Sequence, residues 1–305
     1  MRIAVLGAGA VGLSVAARLS TVAEVVAVSR KRHVRAIEQN GFCMTGRWGE
    51  ACYDLPVRTA LDSGERFDYV FIASKSTDTE SIASEYAEIL SHAEVVSLQN
   101  GIGNEEVLAR HTDRVIGGMI ITGFEWQAEY AVHVSVEGGP MRLGRFPSGM
   151  DQAVLRLVEL VREAGIPVEG TPAIRTEIWG KTMYNCALNP LGALMNVPYG
   201  RLAEPHAWSI IESIVREVFA VARAEGVELA WPAPEAYLGY LAETQLPNTA
   251  GHHSSMLQDL SRGRRTEIEF LNGAIARFSS RHGIPAPVNR CIADLVRFRE
   301  SLQGA

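Results

Sequence analysis

The first half of the chain alternates short, continuously apolar runs with stretches in which apolar residues recur at helical spacing. The helical stretches include residues 11–19 and 80–90. Runs that are apolar throughout predict parallel strands buried on both faces of a sheet. These runs are RIAVLG from residue 2, EVVAVS from 24, DYVFIAS from 68, EVVSLQN from 94 and RVIGGMIIT from 114.

Two further patterns complete the predicted architecture. The segment AVHVSVEGGPMRLGRF (131–146) contains shorter alternating runs around two glycines and predicts an antiparallel hairpin at the edge of the sheet. After GIPVEGTP (165–172) the pattern is almost entirely helical. Predicted helices span 173–195, 208–225, 234–242, 266–281 and 288–302. The sequence therefore predicts an α/β protein with a parallel-sheet domain (1–168) and an all-helical domain (169–305).

Composition is that of an ordinary globular protein and gives no support to a nucleic-acid or membrane partner. The 305 residues carry a net charge of -6, and 47% of them are hydrophobic. No run of 18 apolar residues predicts a membrane span. The apolar start resembles a secretory signal, but Arg18 interrupts it, so we interpret it as mature structure. Four scattered cysteines without a CxxC pair predict unpaired thiols and a cytoplasmic location.

The turn after the first strand has the G-x-G-x-x-G spacing of a dinucleotide-binding loop. It consists of Gly7, Ala8, Gly9, Ala10, Val11 and Gly12. The first glycine permits a tight turn, the second lets the backbone approach a pyrophosphate, and the third lets the helix pack on the sheet. The alternative is a glycine-rich turn that binds nothing. The strand before it and the helix after it favour a cofactor loop.

The end of the second strand predicts which dinucleotide binds. NAD enzymes usually have an acidic residue there for the ribose 2′-hydroxyl, whereas this chain has Ser29 followed by Arg30. A guanidinium group pairs well with a 2′-phosphate, with Lys31 or Arg32 in support, so we expect NADP(H). The alternative is a solvated basic start to the next helix. A nucleic-acid patch fits less well, because the cluster is small and the chain is acidic.

Candidate chemistry lies at two more strand ends and on one predicted helix. Lys75 and Asn100 follow apolar strands, where ligands of open α/β sheets bind. Lys181, Asn185 and Asn189 recur at intervals of four and would share one helix face. A solvated stripe is the alternative, although asparagine is a mediocre choice for an exposed helix face.

The segment TEIE at 266–269 predicts a capping box, with a helix starting at Thr266 and Glu269 as its reciprocal partner. Glu267 is then left for chemistry, or for complementing the helix dipole. His252 and His253 lack partners at metal-ligand spacing, so no metal is predicted.

Together these segments resemble the ketopantoate reductase (2-dehydropantoate 2-reductase) family along nearly the full length. The matching blocks are the glycine motif at 7–12, LQNGIGNEE at 98–106, WGKTMYNCALNPLGAL at 179–194, SSMLQDLSRGRRTEIEFLNGAI at 254–275 and GIPAPVN at 283–289. The resemblance implies that residues 1–168 form a Rossmann-type dinucleotide-binding domain and residues 169–305 a helical substrate and catalytic domain, with the active site in the cleft between them. It also implies NADPH-dependent reduction of 2-dehydropantoate to (R)-pantoate by hydride transfer, for pantothenate and coenzyme A synthesis.

The resemblance also implies residue roles. Lys181 and Glu267 would be catalytic, and Lys75, Asn100 and Glu267 would contact the cofactor beside the glycine loop and Arg30. The implied substrate-binding residues are Asn100, Lys181, Asn185, Asn189 and Ser255. Glu267 would either orient Lys181 or bind a cofactor ribose.

Two departures from the family pattern leave the substrate open. Tyr199 stands where some relatives carry an asparagine that contacts the substrate, and KSTDT (75–79) lacks an aromatic residue often found after the lysine. One alternative is a reductase of another branched or aromatic 2-keto acid. A more distant alternative is a non-catalytic NADP(H)-binding regulator. A monomer and a homodimer fit the sequence equally well.

Overall fold

The computed structural model describes residues 1–302. The chain forms two compact units. The first consists of Met1–Gln99 and Asn104–Arg175, and the second of Asn100–Gly103 and the chain from Thr176 onward. The predicted boundary at 168/169 precedes this division, because the strand Val168–Gly170 still belongs to the sheet of the first unit.

The first unit contains one eight-stranded and one four-stranded sheet. Its strands in chain order are β1 (Arg2–Leu6), β2 (Glu24–Val28), β3 (Phe42–Gly46), β4 (Ala51–Tyr53), β5 (Val57–Arg58), β6 (Tyr69–Ile72), β7 (Glu94–Ser97), β8 (Val115–Met119), β9 (Thr122–Ala128), β10 (Ala131–Glu137), β11 (Met141–Arg145) and β12 (Val168–Gly170). The large sheet has the order β12-β11-β8-β7-β6-β1-β2-β5, and its strands from β8 to β5 are parallel.

Helices cover both faces of this sheet, as the continuously apolar strands predict. They are α1 (Ala10–Leu19), α2 (Lys31–Asn40), α3 (Thr79–Glu85), α4 (Ala87–Leu90), α5 (Asn104–Leu108) and α6 (Gln152–Glu163). Alternate residues of β1 serve opposite faces: Ile3 and Val5 pack with α1 and α6, whereas Ala4 and Leu6 pack with α3, α4 and α5. The predicted fold class, a Rossmann-like α/β unit followed by a helical one, is confirmed.

The predicted hairpin at 131–146 is wrong. Strand β10 pairs with β9 and β3 in the small sheet, which has the order β4-β3-β10-β9, while β11 pairs antiparallel with β8 in the large sheet. The glycines between them carry the chain from one sheet to the other. A Cβ on Gly138 would lie 3.0 Å from the Ile121 carbonyl oxygen, so this transfer is closely packed.

The expectation of unpaired thiols is wrong for two of the four cysteines. Cys43 and Cys52 lie opposite each other on β3 and β4 and form a disulfide. Their spacing of nine residues carries no signal, because only the strand register brings them together. Cys186 is a buried thiol and Cys291 an exposed one. The inference of a reducing compartment rested on four free thiols, and two of these cysteines are disulfide-bonded. The inference therefore loses this support.

The second unit is helical. Its helices are α7 (Ile174–Met195, which begins in the first unit), α8 (Pro205–Ala224), α9 (Pro234–Tyr240), α10 (Leu246–Asn248), α11 (Ser255–Ser261), α12 (Asn272–Arg281) and α13 (Pro287–Ser301), with a π-helical turn at Leu241–Gln245. Helix α7 packs its apolar side inward, and Trp179 stacks on Phe278 with ring centroids 5.9 Å apart. Among residues 1–302, no helix is both long and apolar enough to cross a membrane.

Helix α7 continues through Pro190, which has no N–H to donate to the carbonyl of Cys186. The buried side chain of Asn272 replaces that donor, with Nδ2 3.2 Å from the Cys186 oxygen. Asn289 in turn holds Asn272, through a hydrogen bond of 2.9 Å. The asparagines of FLNGAI and GIPAPVN therefore keep α7 intact around its predicted polar stripe.

The predicted capping box is also wrong. Helix α12 begins at Asn272, and Ile268–Phe270 form only a 3₁₀ turn. The Glu269 carboxylate pairs with Arg297 instead, at 2.7 and 2.8 Å. This two-point ion pair occupies the carboxylate oxygens that a capping box would need.

Candidate functional site

The glycine turn is packed against the end of β6. Gly7 has a φ of 67°, and a Cβ there would lie 2.3 Å from the Cβ of Ser74. A Cβ on Gly12 would lie 2.9 Å from the Cβ of Ala73. Both distances are shorter than a carbon contact allows, so the fold itself requires glycine at these two positions.

Gly9 differs from its two neighbours. It is the N-cap residue of α1, and a Cβ there would meet no heavy atom within 4 Å. Packing inside the first unit therefore does not explain this glycine. The turn is also fastened to the end of β2, because Ser29 Oγ donates to the Ala8 carbonyl at 2.6 Å. The first turn of α1 has no acidic residue to repel an anion.

The basic cluster after β2 divides into two kinds of side chain. Arg30 is the N-cap residue of α2 and is exposed, as is Lys31. Arg32 instead faces the β9–β10 hairpin, where its Nε lies 3.7 Å from a Glu129 carboxylate oxygen. No acidic residue stands at the tip of β2. Arg32 is exposed as well, so Arg30 and Lys31 differ from it in having no carboxylate partner among residues 1–302.

The segment that carries Lys75 is held by Gln99, a residue for which the sequence pattern predicts no role. The Nε2 of buried Gln99 lies 3.2 Å from the Ser74 carbonyl, 3.3 Å from the Lys75 carbonyl and 2.8 Å from Thr79 Oγ1. In the sequence, only the position of Gln99 directly before Asn100 could have indicated this role. Gln99 joins the ends of β6 and β7, where Lys75 is half-buried.

Three of the predicted residues form a connected polar group in the second unit. Lys181 Nζ donates to Asn100 Oδ1 at 2.7 Å, and Asn100 Nδ2 donates to Glu267 Oε2 at 3.2 Å. Burial lowers the pKa of Lys181 to about 8, and the nearby Glu267 carboxylate partly opposes that decrease. Lys181 is therefore a cation at neutral pH that can release its proton readily.

The loop that holds Asn100 requires a glycine at the next position, Gly101. Gly101 has a φ of 84°, and a Cβ there would lie 2.2 Å from the Phe270 carbonyl oxygen. Ile102 N–H donates to the same oxygen at 2.9 Å. The loop is thus fixed against the 3₁₀ turn that follows Glu267, which keeps Asn100 and Glu267 within hydrogen-bond distance.

Asn185 and Asn189 follow Lys181 along α7 but have different surroundings. Asn185 is half-buried, and no side-chain hydrogen bond ties it to another of residues 1–302. Asn189 is only 7% exposed, and its Oδ1 accepts a hydrogen bond from the hydroxyl of Tyr199. The predicted stripe is therefore not a solvated one.

Ser255, like Asn185 and Asn189, has no hydrogen bond to the group of Asn100, Lys181 and Glu267. It is the exposed first residue of α11, and the N-cap is Ser254, whose Oγ accepts from Leu257 N–H at 3.1 Å. Within residues 1–302 no group of three or more His, Cys, Asp or Glu side chains is placed to hold a metal ion.

Both halves of the chain match the models of one known family. Residues 3–148 match the family described as ketopantoate reductase PanE/ApbA, and residues 173–300 match its C-terminal part, ketopantoate reductase PanE/ApbA C terminal. Together the two matches span most of both units. They define an oxidoreductase with a nucleotide-binding domain and a helical domain. The chain belongs to the ketopantoate reductase family.

Proteins that are similar to this chain over its full length carry names with different substrates. The 2-dehydropantoate 2-reductase of Pyrococcus horikoshii is 32% identical, and the alignment covers 100% of this chain and 99% of that protein. The crystal structure of a PanE/ApbA family ketopantoate reductase from Ralstonia eutropha has a TM-score of 0.90 at 32% identity, over all of both chains. A D-mandelate dehydrogenase, solved with NADH and anilino(oxo)acetate, has a TM-score of 0.88 at 25% identity, also over all of both chains.

Proposed function

We propose that this protein reduces a 2-keto acid with NADPH, and that the substrate is 2-dehydropantoate and the product (R)-pantoate, a precursor of pantothenate. The observation that carries the proposal is Lys181, the half-buried lysine of the second unit. A lysine with a pKa of about 8, hydrogen-bonded to Asn100 and near the Glu267 carboxylate, suits proton donation to a developing alkoxide.

The residues of the first unit fit a dinucleotide. Gly9 leaves open the space where a Cβ would stand, and the N–H groups at the start of α1 suit a pyrophosphate. Arg30, with Lys31, would hold the 2′-phosphate that distinguishes NADPH from NADH. Lys75 would contact the cofactor from the end of β6. Bound NADPH would supply the hydride.

The residues of the second unit would carry the proton and the substrate. As the C2 carbonyl becomes an alcohol, negative charge develops on its oxygen, and the Lys181 ammonium group would stabilise that charge and then donate its proton. Asn100 would orient the Lys181 ammonium group through their hydrogen bond. Glu267 would hold Asn100 in place and favour the charged form of Lys181. Asn185, Asn189 and Ser255 would bind the rest of the substrate through neutral hydrogen bonds.

A second candidate keeps this chemistry with another branched or aromatic 2-keto acid. The similarity to a D-mandelate dehydrogenase supports it, as does Tyr199 in place of an asparagine. The family is shared by enzymes with different substrates, so fold similarity does not choose between them.

A substrate panel tests the proposal. NADPH oxidation would be followed with 2-dehydropantoate, 2-ketoisovalerate, phenylglyoxylate and phenylpyruvate, each also with NADH. We expect kcat/KM to be largest for 2-dehydropantoate with NADPH, by at least tenfold. A larger value for phenylglyoxylate would move the assignment to the second candidate. Tight NADPH binding without turnover of any acid would instead favour a non-catalytic regulator.

A further inference from the structure

Tyr199 is buried directly behind the predicted substrate stripe. Only 2% of its surface is exposed, so the side chain has little surface with which to contact a substrate itself. Its ring lies against α7, where a Cβ on Gly192 would be 3.4 Å from Tyr199 Cε1. Its hydroxyl reaches one polar group, the Oδ1 of Asn189.

The hydrogen bond determines which end of the Asn189 amide is available. Burial raises the pKa of Tyr199 far above that of a free phenol, so the hydroxyl keeps its proton and acts as a donor to Oδ1. The amide oxygen is therefore occupied, and the two N–H groups of Nδ2 point the other way. No acceptor among residues 1–302 bonds to Nδ2.

An amide with its N–H groups outward suits a carboxylate, whereas the flipped amide would present an oxygen to it. Free asparagine side chains exchange these orientations at little cost, since the two ends have nearly the same shape. We propose that Tyr199 is a positioning residue that locks Asn189 with its N–H donors facing the carboxylate of the 2-keto acid. This inference rests on the proposed function and adds the selection of an acid over its neutral derivatives.

The ring of Tyr199 is fixed independently of its hydroxyl. It makes edge contacts with Tyr184 and with His252, at centroid distances of 6.0 and 5.2 Å. Its backbone N–H donates to the His252 carbonyl at 3.0 Å. Replacing tyrosine by phenylalanine therefore removes the donor and keeps the packing.

The test compares Tyr199→Phe with wild type on two substrates, the preferred 2-keto acid and its neutral 2-keto amide. For the acid we expect KM to rise about tenfold with kcat changed less than threefold, because one hydrogen bond that orients the amide is lost. For the amide we expect KM to change less than twofold. The dissociation constant of NADPH should not change.

Tyr184→Phe is the matched control. Tyr184 belongs to the same aromatic contact, and its hydroxyl bonds to Thr249 Oγ1 at 3.1 Å rather than to Asn189. We expect its KM for the acid to stay within twofold of wild type. An equal rise for acid and amide in Tyr199→Phe, or no rise for the acid, would overturn the inference while the proposed function stands. Wild-type protein inactive on every 2-keto acid would overturn both.

Discussion

The glycine turn of the first unit and the Asn100–Lys181–Glu267 group of the second are built in opposite ways. The turn uses consecutive residues, and its shape follows from backbone sterics at Gly7 and Gly12. The polar group joins residues separated by 81 and by 167 positions. The turn can be derived from spacing, whereas the pKa of Lys181 depends on what tertiary packing places around it.

The two regions therefore respond differently to substitution. In the turn, the effect of a substitution depends on whether the added Cβ has room. Where it has none, the fold should lose stability. Where it has room, the loss should fall on binding of the cofactor phosphates. In the polar group, α7 can accommodate a different side chain at Lys181, so a substitution there should lower catalytic activity rather than stability. Five substitutions, each with its control or its partner variant, test this difference.

The largest effect is expected for Lys181→Ala. Loss of the proton donor should reduce kcat by about a thousandfold, with an unchanged dissociation constant for NADPH, measured by fluorescence titration. Lys181→Arg is the control, since it keeps the charge but does not release a proton at neutral pH. In wild type, kcat should fall about tenfold per pH unit above pH 8, as the lysine loses the proton that it must donate. Near-normal turnover in Lys181→Ala would remove it as the acid.

Glu105 offers the corresponding case of a buried charge in the first unit. Burial, together with the neighbouring Glu106 carboxylate, raises its pKa to about 7, so the folded state binds this proton more tightly than the unfolded chain. Stability is therefore lost as pH rises from about 4.5 to about 7. We expect Glu105→Gln to raise the free energy of unfolding by about 3 kcal/mol at pH 8 and by about 1 kcal/mol at pH 5.

Urea unfolding at the two pH values measures this difference. Glu163→Gln, at an exposed site on α6, is the control and should change stability by less than about 0.5 kcal/mol at either pH. An equal gain at pH 5 and pH 8 for Glu105→Gln would show that the carboxylate is not the cause.

Gly7→Ala and Gly9→Ala should separate the two requirements within the turn. A side chain at Gly7 meets Ser74 and a positive φ, so we expect a loss of about 2 kcal/mol in unfolding free energy. Gly9 has a negative φ and open space, so its variant should keep wild-type stability. The NADPH dissociation constant of Gly9→Ala should rise about tenfold. Unchanged NADPH affinity in this variant would contradict a pyrophosphate contact.

The smallest effect is expected at the end of β2. Arg30→Ala should reduce the preference for NADPH over NADH, as a ratio of kcat/KM, by about fivefold through loss of a charge-assisted hydrogen bond at an exposed site. Arg32→Ala should change the ratio less than threefold, because Arg32 faces Glu129. Equal losses in the two variants would show a diffuse charge effect rather than a specific contact.

Sequence alone determined those features that depend on neighbouring residues. Apolar runs and helical spacing gave the parallel sheet and the helical second unit, since hydrophobic periodicity is a local property. The glycine spacing gave the turn, since φ and Cβ clashes act over a few residues. The stripe at Lys181 followed from helical geometry, although the sequence left its partners undecided.

Tertiary structure decided what depends on pairing and solvent exclusion. Strand partners separated β10 from β11 and joined Cys43 to Cys52, because register is set by contacts between distant segments. The pairing of Glu269 with Arg297 replaced a capping box that was locally reasonable. Burial beside Glu267 set the pKa of Lys181, and the buried hydroxyl of Tyr199 set the orientation of Asn189. Desolvation and hydrogen-bond direction arise only when the chain has folded, so no local pattern contains them.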